Sequence, residues 1–347
     1  VNDLRIGVLF NADDNLEFGD ATDALAVQAV RDCARAAAAA CRENGWDAVE
    51  LAAPRDPLEL IARLREERVD VVFNLVEAVD GDASLEPAVA SLLELTGIPY
   101  TGSPPRAMTL ALEKPIARAV LAAHGVPVPA GATLRTGDES LEGLRYPVIV
   151  KPAASDASHG IALESVVHDE AAARARARFL RATYGQAAVV EEFIDGRELN
   201  VSILGQGDDA APLPLFEIDF DEDYPAGKPR IVTYVSKWGP EDAPEYQGSW
   251  SVPVKDLAPG VAERVRATAL AAFRAIGLRD YGRVDIRLHA ERGPFVVDVN
   301  PNPDISPCAG LNHAAEEGGL SHAQLIGRVV RSALERKKHA DALAAPR

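Results

Sequence analysis

Short β-rich apolar runs alternate with stretches of helical length through the first hundred residues, and this rhythm restricts the fold strongly. Strands are predicted over 6–10, 48–51 and 69–75. Helices are predicted over about 22–44, closed by Gly45, and about 85–95, closed by Gly97 ahead of Ile98-Pro99-Tyr100. Strands separated by helices pair in parallel, and a parallel sheet needs cover on both faces. The alanine run 36–40 reads as plain helix, because alanine is the best helix former.

The punctuation changes after residue 100. Gly102-Ser103-Pro104-Pro105 makes a turn, a helix is predicted over about 106–124, and Gly125 with Val126-Pro127-Val128-Pro129 ends it. A strand (146–151), a small-residue loop (153–160), a strand (161–166), a helix (169–184) and strands over 188–192 and 198–204 then form a small α+β module. A strand over 212–220 and a Pro/Gly-interrupted segment to about 253 follow, then a helix over 259–276 and strands over 282–288 and 294–300. An amphipathic helix over about 320–342 closes the chain, its Arg336-Lys337-Lys338 end expected to be solvated surface that compensates the helix dipole. At 347 residues the chain exceeds what one core supports. The expected architecture is α/β and α+β in three domains: an N-terminal parallel-sheet domain (1–103), a central one (104–205) and a C-terminal one (206–347).

Charge and cysteine usage remove whole classes of partner. A formal net charge of −17 argues against nucleic acid, whose binding needs clustered Lys and Arg. Cys33, Cys41 and Cys308 form no CxxC pair and no metal-like spacing, which suits a reducing, cytoplasmic setting. The opening Val1-Asn2-Asp3-Leu4-Arg5-Ile6 lacks the basic and apolar regions of an export signal, and no apolar run reaches the roughly 18 residues of a membrane span, so no membrane partner is expected.

Two constellations carry chemistry. Gly282-Arg283-Val284-Asp285 and Asp298-Val299-Asn300 lie on successive predicted strands, where period-two alternation can bring Asp285, Asp298 and Asn300 to one face. Hard oxygen donors in that number suit a magnesium that completes its shell with substrate phosphates, and the alternative is a solvated strand face. Arg283 shares the face of Asp285, suited either to stabilising an oxyanion or to a structural ion pair. Upstream, Tyr146-Pro147-Val148-Ile149-Val150-Lys151-Pro152 ends a strand in a lysine, and a small-residue loop through Ser155, Ser158 and Gly160 follows. Such a lysine and loop can meet nucleotide phosphates. Lys114 before it, and Glu191-Glu192-Phe193-Ile194 with Glu198 after it, add a second cation and a hinge bearing carboxylates.

Together with Val72-Phe73-Asn74-Leu75 and Gly97-Ile98-Pro99-Tyr100-Thr101-Gly102-Ser103, these segments resemble the ATP-grasp superfamily and, within it, the D-alanine:D-alanine ligase group, over about residues 70–330. The resemblance implies three domains, with ATP held between two of them, and two magnesium ions for which manganese can substitute. It places Lys114 and Lys151 on phosphates, Glu192 and Ile194 at the adenine through hinge backbone, Glu198 on the ribose, and Glu191, Ser158 and Val297 in the nucleotide pocket. Asp285, Asp298 and Asn300 match metal ligands, Arg283 the arginine facing the acyl phosphate, and Lys237-Trp238 a mobile loop closing over ATP. Relatives are often dimers through the N-terminal unit, so a homodimer is one option.

The departures concern amino-acid recognition. Asn11-Ala12-Asp13-Asp14 replaces a glycine-serine-glutamate motif and Val76-Glu77 a histidine-glycine pair. Ala157 and Ala309 stand where the family carries serines, and Asp298 where glutamate is usual. The expected activity is an ADP-forming carboxylate-amine ligase acting on small amino-acid or amine substrates other than paired D-alanine, with Glu77, Asp13, Asn302, Asp304 and Ala309 as substrate-side candidates. The acids among them are equally readable as surface charge. Alternatives are a D-alanine:D-alanine ligase and a nucleotide-binding regulatory protein, the latter disfavoured because binding alone needs no oxyanion partner such as Arg283.

Overall fold

The computed structural model describes residues 4–11, 23–155 and 158–344. Its first layer is a parallel sheet of β1 (Arg5–Phe10), β2 (Asp47–Ala52) and β3 (Val71–Leu75), ordered β2-β1-β3. The crossovers are α1 (Asp23–Glu43) and α2 (Pro57–Glu66), and α3 (Glu86–Thr96) follows β3. Helix α2 is absent from the predicted elements. Its start is nonetheless marked, since Asp56 accepts the Leu58 N–H at 2.8 Å and Pro57 occupies the first turn, where no N–H partner is needed. In α1, Ala34, Ala37, Ala38 and Cys41 are buried, and their small size lets the closing helix lie close on the same core.

The predicted helix over 106–124 is two helices, α4 (Pro105–Leu112) and α5 (Lys114–Ala123). Pro115 lacks an N–H and its ring would strike the Ala111 carbonyl, so the helix breaks at Glu113 (φ −84°, ψ 84°). The break turns the Lys114 N–H onto the Ala153 carbonyl at 2.9 Å and anchors the start of α5 to the next sheet.

That sheet holds β4 (Gly131–Leu134), β5 (Val148–Pro152), β6 (Val166–Val167) and β7 (Ala188–Glu192), antiparallel in the order β4-β7-β5-β6, with α6 (Glu170–Tyr184) packing Ala173, Ala177 and Leu180 against it. The predicted strand 161–166 shrinks to β6, because the Ser165 hydroxyl accepts the Ala162 N–H at 3.0 Å and curls the chain into a short turn.

The third sheet is antiparallel and six-stranded. It contains β8 (Arg197–Leu204), β9 (Ala211–Pro212), β10 (Phe216–Phe220), β11 (Ser249–Pro253), β12 (Tyr281–His289) and β13 (Gly293–Asn300), ordered β11-β10-β8-β12-β13 with β9 on β8. Pro212 and Pro214 cannot donate to a ladder, which divides the predicted strand 212–220 into β9 and β10. The interrupted segment before β11 carries two short helices, α7 (Tyr234–Trp238) and α8 (Pro244–Gln247). Helix α9 (Pro259–Ile276) buries Val265, Ala269, Ala272, Phe273 and Ile276 on the sheet. Helices α10 (Gly310–Glu317) and α11 (His322–Ala344) complete the chain, and α11 returns to the first layer through Leu325, Ile326, Val329 and Val330. No helix among the described residues is long and apolar enough to cross a membrane.

Arg336 of α11 departs from the expectation of solvated charge, whereas Lys337 and Lys338 are exposed as expected. The Arg336 guanidinium pairs with the fully buried Asp280 carboxylate and donates to the Tyr100 carbonyl at 2.7 Å, while Asp280 also accepts from Ser332 Oγ (2.7 Å) and the Gly102 N–H (2.9 Å). One carboxylate thus ties α11, the 100–102 turn and the start of β12 together. Asp280→Asn keeps a side chain that tolerates the left-handed backbone at φ 65°. The loss of charge opposite Arg336 should lower stability by about 3 kcal/mol. Urea unfolding checks this, and an unchanged midpoint at unchanged slope would remove the clamp.

Candidate active site

Strands β12 and β13 set the centre of the site. Across them Asp285 lies opposite Asp298 and Arg283 opposite Asn300. Val284, Ile286 and Leu288 face the core under α9, so alternation sends Arg283, Asp285 and Arg287 to the other face. The register shifts after this pair, with Ile286 opposite Val296, so Val297 is the extra residue of a β-bulge. Bulges re-aim backbone groups. Here the Val297 carbonyl accepts from Lys151 Nζ at 3.0 Å.

The charges around this centre are matched pair by pair. Lys114 Nζ lies 3.1 Å from Asp298 Oδ1, and Lys151 Nζ 2.7 Å from Glu191 Oε2, with both lysine side chains only 8% exposed. Arg283 grips Asp285 through both oxygens, Nε at 2.7 Å and Nη2 at 3.0 Å, and Asn200 Nδ2 adds a third bond at 2.8 Å. Burial pushes the Asp298 carboxyl up, but the Lys114, Lys151 and Arg283 charges outweigh it and hold its pKa below the usual value. Burial works against the Arg283 cation, and the Asp285 carboxylate more than compensates, leaving its pKa raised.

The hinge between β7 and β8 has its own wiring. The Glu192 N–H bonds the Ala130 carbonyl (2.8 Å) and the Phe193 N–H the Pro147 carbonyl (2.9 Å). The Ile194 carbonyl takes Arg287 Nε at 2.9 Å, whereas the Ile194 N–H has no partner among the described residues. Arg287 also holds Glu198 at 2.8 Å, and burial, ahead of that opposing cation, raises the Glu198 pKa. The Glu192 carboxylate turns to Arg292 at 3.0 Å, leaving only its backbone for the cleft. Gly196 is obligatory at the turn, because a Cβ there would lie 2.1 Å from the Leu288 carbonyl oxygen.

The 158–161 loop and α7 meet. Ser158 adopts φ 62° and its carbonyl accepts the Ile161 N–H at 2.9 Å. The His159 ring lies 5.0 Å from the Tyr234 ring, and the Tyr234 N–H bonds the Ile161 carbonyl (2.9 Å), so this loop docks on α7. Lys237, one turn along α7, is open to solvent, yet the protein packed around its ammonium, followed by the Arg283 charge, lowers its pKa despite Asp285, Asp298 and Glu198 nearby.

The substrate-side candidates separate. Glu77 is exposed at the end of β3, its N–H on Asn11 Oδ1 at 3.2 Å, and Asp304 is exposed and accepts the Ser306 N–H at 2.8 Å. Both lie close enough to the buried Cys33 thiol to raise its pKa beyond the effect of burial. Ala309 is the residue before α10 and provides no side-chain cap. Asn302 is already engaged within the protein. It is buried, donates to the Val76 carbonyl (3.1 Å) and Glu86 (3.2 Å) and accepts from the Tyr281 hydroxyl (2.7 Å), so its amide hydrogens join β3 and α3 to the site and none is left for a ligand. Asp13 and Ala157 lie outside the described residues.

Comparison with known proteins adds the family. Residues 121–331 match the model described as D-ala D-ala ligase C-terminus. The chain is 34% identical to the uncharacterized protein y4sG of Sinorhizobium fredii, over 80% of this chain and 76% of that one. It is 32% identical to the D-alanine–D-alanine ligase of Desulforudis audaxviator, over 87% of this chain and 92% of the relative. This chain belongs to the D-alanine–D-alanine ligase family. The structure of the Bacillus anthracis D-alanine–D-alanine ligase complexed with ATP superposes with a TM-score of 0.75 at 20% identity, covering 97% of this chain and 99% of that one. The fold of this family member is therefore ATP-grasp.

Within this ligase-family chain, three site residues escape the sequence reading. Asn200 and Arg287 each sit two residues beyond a named acid, Glu198 and Asp285, so period-two alternation alone points to them. Arg118 follows Lys114 by one helical turn and so shares its face of α5.

Proposed function

We propose that the protein is an ATP-dependent carboxylate-amine ligase acting through an acyl phosphate on an amino acid or related small acid, and that its substrate pair differs from paired D-alanine. The observation that carries this is the set of cation–carboxylate pairs in one cleft, Lys114 with Asp298, Lys151 with Glu191 and Arg283 with Asp285. Each cation can leave its carboxylate for a phosphate or oxyanion, and each freed carboxylate on β12 and β13 is a hard oxygen donor. The donor set fits magnesium arriving with a nucleotide. Asp285, Asp298 and Asn300 supply two carboxylates and an amide oxygen, too few for an all-protein cage and right for an ion that shares phosphates. Bound there, magnesium would neutralise phosphate charge.

The chain's own residues do the rest. The Ile194 N–H, unpartnered among the described residues, and the Glu192 carbonyl offer the adenine edge a donor and an acceptor, Glu198 accepts from the ribose, and Val297 and the Ser158 loop line the pocket. Lys114 and Lys151 neutralise the transferring phosphoryl group and hold it in line with the attacking carboxylate. Arg283 faces the oxyanion formed when the amine adds to the acyl phosphate. Lys237 and Trp238 on α7 close the cleft and exclude water. The three sheets support a three-domain reading with an N-terminal unit of 1–103, but β8 (Arg197–Leu204) pairs within the third sheet, which moves the boundary expected at 205 to between Glu192 and Arg197.

For the substrates, Ala309 cannot donate a hydrogen bond to an acceptor carboxylate, and the exposed Glu77 and Asp304 repel one while attracting an ammonium. Relatives named D-alanine–D-alanine ligase favour the second reading, activity on D-alanine itself. ADP release with amino acids and amines, singly and in pairs, separates the two. At least one other substrate should surpass D-alanine. Formation of D-alanyl-D-alanine with nothing competing would establish the second reading instead.

A further inference from the structure

Glu191 has one close cation and one distant one. Lys151 Nζ stands 2.7 Å from its Oε2, while Arg118 Nη1 stands 3.9 Å from its Oε1, and Nη1 makes no hydrogen bond among the described residues. The carboxylate side chain is only 5% exposed, so it cannot exchange a lost cation for water. Arg118 and Glu191 line a void of about 20 Å³ with Lys114, Asp298, Val128 and Val296, room for the shift of about 1 Å that brings the guanidinium within hydrogen-bond range of Glu191. Gly131 on β4 keeps this path open, since a Cβ there would fall 2.0 Å from Arg118 Nη1 and 2.6 Å from the Val190 carbonyl oxygen.

We propose that Arg118 is the reserve counter-ion of Glu191: it takes over the carboxylate when nucleotide phosphates draw Lys151 away. This rests on the nucleotide reading above and makes Arg118 a positioning residue that never touches the nucleotide. Without Arg118, Lys151 is the only cation within 4 Å of Glu191 among the described residues, and every phosphate must compete with a buried carboxylate for it. An adenosine without phosphates makes no such demand on Lys151. Arg118 therefore acts on the phosphate-dependent part of affinity alone.

Calorimetric titration with ADP and with adenosine, in magnesium buffer, tests this on wild type, Arg118→Ala, Arg118→Gln and Arg118→Lys, with thermal melting in parallel. Arg118→Ala and Arg118→Gln should weaken ADP binding at least about tenfold and leave adenosine binding unchanged, and Arg118→Lys should recover most of the loss. The glutamine variant carries the measurement if the alanine variant does not fold. Unchanged ADP affinity in the neutral variants, or equal weakening of ADP and adenosine, overturns the inference while the nucleotide reading stands. A wild-type protein that binds neither compound removes both.

Discussion

Asp298→Asn should cut turnover at least about 100-fold while nucleotide still binds. The side chain keeps its size and one oxygen but loses the charge that Lys114, Lys151 and Arg283 hold in place. In the free protein the change also leaves the Lys114 ammonium, 8% exposed, without its carboxylate 3.1 Å away, so the variant should melt below wild type. Added ADP gives Lys114 a new anion and should narrow that gap. The pH response follows from the lowered Asp298 pKa. Its pairing stabilises the fold above the unfolded value near pH ~4 and is lost as pH falls through the folded value, so acid destabilises wild type more than Asp298→Asn. Steady-state kinetics at saturating magnesium decides the main point, and near-normal turnover there would remove Asp298 from the chemistry.

Lys151→Ala should abolish nucleotide binding, with affinity falling about 100-fold or more and the fold retained. Lys151 stands at the end of β5 on the Val297 carbonyl and Glu191, and its removal leaves Glu191 only Arg118 at 3.9 Å. The cleft then has one cation fewer for the phosphates, and Glu191 holds Arg118 as its remaining counter-ion. Arg118→Ala removes a distant partner and leaves Lys151 in place, so its effect is smaller. Unchanged ATP affinity in calorimetry, with circular dichroism matching wild type, would exclude Lys151 from the phosphate site.

Much of this was readable where local pattern and tertiary structure agree. Helix α9 begins at Pro259 and ends before Gly277, both start and stop signals acting in the expected sense. Strands β12 and β13 differ from the predicted ranges by a residue or two at their ends, and alternation within them placed Arg283 and Asp285 on one face. The Val297 bulge was not readable, because an extra residue shows only when both strands are aligned. The partners of Arg336 and Asn302 were unreadable for a related reason. Each residue looks polar and free in sequence, and each is bound by partners more than two hundred residues away, Arg336 at Tyr100 and Asn302 at Val76. The break at Glu113 was visible in Pro115 and was missed because the apolar pattern runs on unbroken across it.

The acyl phosphate makes the sharpest claim, and oxygen transfer tests it directly. The carboxylate oxygen that attacks the γ-phosphorus becomes the bridging oxygen, and it departs with phosphate when the amine adds to the carbonyl carbon and the C–O bond breaks. With an amino acid labelled by oxygen-18 in its carboxylate, ATP and the accepting amine, mass spectrometry of the released inorganic phosphate should show one labelled oxygen per product formed. Unlabelled phosphate accompanying product, or ADP release that does not depend on the amino acid, would contradict the ligase mechanism.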